Sequence, residues 1–299
     1  MNTTPTAAPT ALSHGSPRSA AYDPFHAARA RSDLPARLYA AAMGDDYPSE
    51  IAASSSCEWP LLALMTARLR IVPGQLLVDA RCGTGGVGLW LARALNVHLD
   101  GFDLSAVAIK EATARRRHFL GEQSARASFR VAELEETGLP DGCAHGIVCV
   151  NALSGDIDKA AVVYELGRIL APGGRLVMTR SLRPGTTPPW QDQATAAGLR
   201  VEQVDERPGE PAMWQRLYRL WIEHADDLRR ELGEEQARSM LAEAHQMLPT
   251  LSGRRAVLLT LHRPTTATAD PVAPGPPDTM AGPDRRHGGR PAPLGRTPQ

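Results

Sequence analysis

A single stretch decides the fold: Leu76-Leu77-Val78-Asp79-Ala80-Arg81-Cys82-Gly83-Thr84-Gly85-Gly86-Val87-Gly88, with the apolar run Leu89-Trp90-Leu91-Ala92 directly after it. A short apolar strand leads into a glycine-rich turn, and a helical pattern leaves that turn. Glycines let the backbone approach a ligand and adopt φ values that other residues resist. The helix that begins there offers unpaired N–H groups and a partly positive end. The stretch alone fits either a nucleotide site or a packing turn.

A second signal follows along the chain. The residues from Val97 to Phe102 have the pattern of a short strand, and Asp103 comes directly after them. In nucleotide-binding α/β folds, an acid about twenty residues beyond the glycine turn binds the ribose hydroxyls. The two signals together favour a nucleoside ligand over a packing turn.

Four landmarks in order resemble those of class I S-adenosylmethionine (SAM)-dependent methyltransferases, specifically small-molecule enzymes of actinobacterial type. They are Asp79 to Gly85, Gly101 to Ser105, Ala132 to Leu134 before Gly138-Leu139-Pro140, and Ile169 to Leu176. The resemblance covers residues 30 to 264 or so. It implies an α/β fold, with a Rossmann-like seven-stranded sheet, helices on both faces and a mostly helical cap.

One residue departs from the family's best motif. Arg81 stands where the family usually has its first glycine, beside the methionine part of SAM. A long cationic side chain there would obstruct the cofactor, point away from it, or pair with the SAM carboxylate. This departure motivates an alternative in which the protein has the methyltransferase fold but does not methylate, as a cyclase or as a regulatory or partner subunit.

The resemblance also implies a set of cofactor-binding residues. Asp79 would help hold the methionine amino group, with helix capping as the alternative, and Asp103 would accept the ribose hydroxyls. Glu133 would take the adenine amino group, whereas a cofactor contact and a purely structural role are equally open for Asn151. The full predicted set is Asp79, Arg81, Gly83, Gly85, Asp103, Leu104, Glu133, Leu134 and Asn151.

Methyl transfer from a sulfonium needs alignment and exclusion of water, and it needs a base only when the acceptor must lose a proton. The catalytic residues are therefore open, with His224, His245 and Tyr47 as weak candidates beside the alternative of solvated helix histidines. Because substrate pockets are mostly apolar, aromatic residues are the substrate-binding candidates, with core packing as the alternative for those in the lid. They are Tyr39, Tyr47, Trp59, Trp214 and Tyr218.

The order of segments follows from composition and periodicity. We expect a mobile or disordered arm (1–25), a helical cap segment (26–73), a SAM-binding core (74–208), a helical lid (209–253), the last strand (254–264) and a disordered tail (265–299). The predicted strands are 75–80, 97–102, 127–132, 145–151, 174–181, 199–206 and 255–262, the last one reversed. The predicted core helices are 86–95, 105–118, 158–170 and 187–198, and the lid helices are 212–231 and 234–247.

Composition excludes several functional classes. The 299 residues contain 33 Lys and Arg against 33 Asp and Glu, which argues against a nucleic-acid or membrane partner and leaves a small-molecule substrate. The four cysteines show neither a CxxC pair nor a metal-ligand spacing, so we expect no metal and a cytoplasmic location. A homodimer is left open.

Overall fold

The computed structural model describes residues 19–153 and 157–265. The predicted arm (1–25) lies outside the described residues from 1 to 18, and the predicted tail (265–299) lies outside them from 266 onward. Within them, no helix is long and apolar enough to cross a membrane.

The centre of the molecule is a seven-stranded sheet in the order β3-β2-β1-β4-β5-β7-β6. The strands from β1 to β5 pair in parallel, and β7 runs antiparallel to both β5 and β6. This topology confirms the predicted fold, including the reversed last strand. The strands are β1 (Leu76–Ala80), β2 (His98–Asp103), β3 (Ala127–Val131), β4 (Ala144–Cys149), β5 (Leu170–Leu182), β6 (Arg200–Glu206) and β7 (Arg255–His262).

Helices cover both faces of this sheet. Their bounds are α1 (Ser19–Arg29), α2 (Leu34–Met43), α3 (Trp59–Leu69), α4 (Gly86–Leu95), α5 (Ala106–Leu120), α6 (Lys159–Ile169), α7 (Trp190–Ala196), α8 (Glu210–Glu223), α9 (Ala225–Leu232) and α10 (Glu234–Met247). Apolar residues of α3, α4 and α5 form one core with the sheet, and those of α6 and α7 form a second. The central strands β1, β4 and β7 are largely buried on both faces, which is why they read as apolar runs, whereas the edge strands β3 and β6 are more exposed.

A third apolar core belongs to a helical cap, in which α8 packs against both α2 and α10. The predicted cap segment 26–73 therefore divides between two places. Its first part supplies α2 to the cap, whereas α3 packs on the sheet through residues such as Leu62 and Met65. The apolar face of α3 is buried in the same core as strand residues such as Val148 and Val177, which assigns this helix to the sheet and not to the cap.

Three predicted boundaries need correction. Helix α1 begins at Ser19, within the predicted arm, because burial of Ala28 in the cap and a contact made by Asp23 hold it to the fold. The predicted helix 212–231 is two helices, because His224 leaves the helical region with φ −95° and ψ 27°. Strand β5 begins at Leu170, where it pairs with Ala144 directly after α6.

Candidate active site

Asp79 fixes the start of the helix that follows the glycine turn. Its side chain, near the end of β1, is only 3% exposed, and its Oδ2 accepts a hydrogen bond from the Gly88 N–H at 2.9 Å. Burial raises the pKa of Asp79 to about 7, while the Gly88 bond opposes the shift. The helix-capping alternative is therefore observed, and the same side chain also borders the cavity described below.

Asp103 ties the glycine turn to the end of β2. Its Oδ2 accepts from the Gly83 N–H at 3.0 Å, and its Oδ1 accepts from the Ser105 N–H at 3.0 Å. A carboxylate has lone pairs for about four hydrogen bonds, so these two backbone bonds orient the group and leave acceptor capacity. That capacity lies at the cavity wall.

The turn itself contains three residues with left-handed backbone. Gly83 and Gly85 have φ values of +52° and +75°, and Arg81 has a φ of +66°. An added Cβ at Gly85 would lie 2.9 Å from the Cβ of Ala112 and 3.0 Å from the ring of Phe129. Gly85 is thus required by packing, while Gly83 faces the cavity.

A cavity of about 830 Å³ opens at the carboxyl ends of β1, β4 and β5. This is where open α/β sheets bind ligands, and the volume lies in the upper range of small-molecule pockets. One part of its wall carries Asp79, Asp103 and Gly83, and another carries the aromatic side chains of the cap. The cavity therefore joins a wall of carboxylate and glycine residues to a chamber lined by aromatic side chains.

About half of the predicted site residues line this cavity. Those that do are Asp79, Arg81, Gly83, Asp103, Asn151, Tyr39, Trp214 and Tyr218. The predicted residues outside its lining are Gly85, Leu104, Glu133, Leu134, Tyr47, Trp59, His224 and His245.

Asn151 connects three segments at the floor of the cavity. Its Oδ1 accepts from the Ser56 N–H at 2.9 Å and from the Ser56 hydroxyl at 2.8 Å, and its own N–H donates to Thr179 Oγ1 at 2.7 Å. Its φ of +53° is one that asparagine tolerates better than most residues. Asn151 thus holds the end of β4 in place beside the cavity.

Two candidate catalytic residues, His224 and His245, and one candidate substrate-binding residue, Trp59, lie away from the cavity. His224 interacts with the Asp227 carboxylate at 3.0 Å, and His245 Nδ1 lies 2.7 Å from the Leu241 carbonyl oxygen. Trp59 is 39% exposed and packs edge-on against Trp90. The structure does not bring these three predicted residues to the cavity.

Tyr47 is half-buried behind the cavity wall. Its hydroxyl has no hydrogen-bond partner among residues 19–153 and 157–265. Burial raises the pKa of Tyr47, and the neighbouring Arg29 opposes that shift.

Helix α1, which the sequence did not predict, closes the cavity over the glycine turn. His26 and Arg29 both line the cavity, and an added Cβ on Gly83 would lie 3.8 Å from His26 Cε1. Asp23 anchors the helix by accepting from the Ser105 hydroxyl at 2.5 Å. Burial lowers the pKa of His26 despite the nearby Asp103. No regular apolar period marks this segment in the sequence.

Two hydrogen bonds join carboxylates to aromatic side chains in the cap. The Tyr218 hydroxyl donates to Glu243 Oε1 at 2.9 Å, and Trp214 Nε1 donates to Glu210 Oε1 at 2.7 Å. The rings of Trp214 and Tyr218 stack with centroids 5.6 Å apart. The pairs hold a flat aromatic surface toward the cavity. The two acids were missed because neither follows a recognisable motif.

Three basic residues of the cavity wall were also missed: Lys159, Arg180 and Arg254. Arg180 had a usable signal, since it is a charged residue close behind the apolar run Leu176-Val177-Met178 of a buried strand. In the part of the chain that the structure describes, no group of three or more His, Cys, Asp or Glu residues is arranged to hold a metal ion.

Comparison with known proteins agrees with this geometry. Residues 77–174 match a family model described as "Methyltransferase domain". The methyltransferase GfsG of Streptomyces halstedii is 30% identical over 129 residues, which are 43% of this chain and 45% of that protein. This chain spans less than half the length of the curated relatives that it matches.

Solved structures share the fold at low sequence identity. The cyclase SpnF superimposes with a TM-score of 0.63 at 18% identity, over 83% of this chain and 96% of its own. The geranyl diphosphate C-methyltransferase of Streptomyces coelicolor A3(2), in complex with S-adenosylhomocysteine, has a TM-score of 0.56 at 18% identity. That match covers 86% of this chain and 100% of the other. The resemblance seen in the sequence is confirmed.

Proposed function

We propose that this protein, whose residues 77–174 form a methyltransferase domain, transfers the methyl group of SAM to an oxygen, nitrogen or carbon atom of a small molecule with a largely apolar body. Biosynthesis of a specialised metabolite is the setting we favour, since an actinobacterial methyltransferase is among its relatives. The cytoplasmic location and the homodimer stay predictions.

The observation that carries this proposal is the placement of Asp103 on the cavity wall. It is oriented by the Gly83 and Ser105 N–H groups and keeps unused acceptor capacity. Two ribose hydroxyls fit such a carboxylate, because a charged acceptor makes the stronger hydrogen bonds. The adjacent Gly83 leaves room for the nucleoside against the backbone.

The chain's own residues would then align the reactants. The bound SAM supplies an electrophilic methyl group on a sulfonium. Asp103 would place negative charge beside the cationic ligand, while Asp79 would offer acceptor oxygens at the cavity wall and Asn151 holds the end of β4 where the acceptor must approach. The aromatic cap excludes water from the chamber, which favours displacement by the acceptor over side reactions.

The remaining cofactor residues stay predictions. Leu134 is buried in the core below the sheet end, and Leu104 is 5% exposed beside Asp103. Contact of Glu133 and Leu134 with the adenine ring would extend the ligand beyond the described cavity lining. In that contact the Glu133 carboxylate would accept from the adenine amino group, and the Leu134 backbone N–H would meet the ring.

Calorimetric titration with SAM and with S-adenosylhomocysteine tests the proposal. Asp103→Ala should weaken binding of both by about 2 kcal/mol, the scale for hydrogen bonds to a charged group. Asp45→Ala, which removes an exposed carboxylate outside the cavity, serves as the matched control. Equal affinities in the two variants would exclude Asp103 from the site, and absence of binding to the unmodified protein would refute the cofactor.

A second candidate function is a reaction without methyl transfer, as in the alternative that Arg81 motivates. A structural neighbour that is named a cyclase is the observation that favours this candidate. Mass spectrometry of acceptor incubations separates the two. Methyl transfer forms S-adenosylhomocysteine and a product heavier by one CH₂ unit, whereas cyclisation leaves SAM unconsumed.

A further inference from the structure

A buried arginine lies in the cavity wall. Arg180, near the carboxyl end of β5 opposite Val257 of β7, is 7% exposed. Its Nη1 donates to Gln193 Oε1 at 3.2 Å. In residues 19–153 and 157–265, no carboxylate forms an ion pair with it, and burial lowers its pKa. A buried cation of this kind is costly unless an anion accompanies it.

Two further cations share the same wall. Lys159 is the first residue of α6, and Arg254 directly precedes β7. Arg254 donates to the carbonyl oxygen and hydroxyl of Thr250 at 3.0 and 3.2 Å, both neutral acceptors. Neither cation forms an ion pair with a carboxylate of the described chain. The wall therefore carries positive charge that its neighbours do not neutralise.

The acids of the cavity have other partners. Asp79 and Asp103 accept backbone N–H groups of the glycine turn, and Glu210 and Glu243 accept from the aromatic residues of the cap. Each of these carboxylates is thus oriented by a hydrogen bond within the turn or the cap. The basic wall is left for a ligand.

The basic wall belongs to the acceptor side of the cavity. Asp103 ends β2 and Arg180 lies near the end of β5, with β1 and β4 between them. At about 4.8 Å per strand spacing, this places the two backbones about 14 Å apart. Arg180 thus lies three strand spacings from Asp103, the predicted ribose-binding residue.

We propose that Arg180, with Lys159 and Arg254, binds an oxyanion carried by the methyl acceptor, a phosphate or a carboxylate group. The apolar part of the acceptor packs on Trp214 and Tyr218, whose rings line the same cavity. A guanidinium offers paired N–H donors that match either oxyanion. The acceptor is therefore amphipathic. This assignment rests on the proposed function only in naming the ligand as the acceptor.

Titration of the full chain, saturated with S-adenosylhomocysteine, tests the proposal with three probes of equal chain length. The probes are octyl phosphate, octanoate and the uncharged octanol. We expect one or both anions to bind at least about tenfold more tightly than octanol, which corresponds to one charged hydrogen bond. Which anion binds better distinguishes phosphate from carboxylate. Equal binding of all three probes overturns the proposal.

Arg180→Met, which keeps an unbranched apolar stem and removes the charged guanidinium, should lower the affinity for the anion by about tenfold. Binding of S-adenosylhomocysteine should stay unchanged. Arg183→Met, at an exposed arginine outside the cavity lining, is the matched control. Loss of S-adenosylhomocysteine binding in Arg180→Met would instead assign the guanidinium to the cofactor carboxylate, and unchanged anion affinity would refute the site.

If Arg180→Met does not fold, Lys159→Met and Arg254→Met carry the test, and each should weaken anion binding. The two proposals fail separately. Anion binding without SAM binding refutes the methyltransferase function and keeps the oxyanion site. SAM binding without preference for the anionic probes keeps the methyltransferase function and refutes the oxyanion site.

Discussion

Arg81 has a left-handed backbone at the position where the methyltransferase motif has a glycine, with a φ of +66°. For an L-residue with a Cβ, this conformation costs about 1 to 2 kcal/mol. The larger entropy of unfolded glycine offsets about 0.4 to 1 kcal/mol of that difference. We therefore expect Arg81→Gly to be more stable than Arg81→Ala by about 1 kcal/mol.

Both variants remove the same guanidinium, so the difference between their free energies of unfolding reports the cost of the backbone conformation. Urea denaturation at neutral pH gives the two free energies of unfolding. The matched pair is Arg219→Gly and Arg219→Ala, at an exposed position inside α8. There the order should reverse, with glycine about 1 kcal/mol less stable than alanine. An alanine variant at least as stable as the glycine variant at position 81 would refute the argument.

Two further predictions concern the glycine turn and helix α1. Because burial raises the folded pKa of Asp79 from 3.8 to about 7, the folded state binds that proton more tightly, and stability falls as pH rises across this window. Urea titrations of Asp79→Asn should show a shallower fall than the unmodified protein, and an identical slope would contradict the shift. Asp23→Ala removes the acceptor of the Ser105 hydroxyl and should speed amide hydrogen exchange in α1. Asp33→Ala, exposed beside Arg37, should leave that exchange unchanged, and equal protection in both variants would show that Asp23 does not anchor the helix.

Local patterns in the sequence predicted most of the fold. The apolar strands, the glycine turn and Asp103 are recognisable because strand burial and turn conformation depend on neighbouring residues. The same landmarks located Asp79, Gly83 and Asp103 on one cavity wall. The break at His224 escaped prediction because no proline or glycine marks it.

Contacts between distant segments decided the rest. Helix α1 lies over the turn because Asp23 meets Ser105, a contact between residues with no regular pattern linking them. Gly85 has the left-handed conformation that its motif implies, yet the structure shows that it packs against Ala112 and Phe129. Sequence spacing cannot distinguish a glycine that faces a ligand from one that faces a helix.

The sequence by itself determined the strands of the sheet, the glycine turn and the position of Asp103, because each depends on a short run of residues. Only the tertiary structure decided which other side chains line the cavity. Arg180, Lys159 and Arg254 come from three elements that are far apart along the chain, and they share one wall because β5 and β7 are neighbours and α6 precedes β5. The spacing of these three residues along the chain does not show that they will line the same cavity, because that depends on which elements pack together.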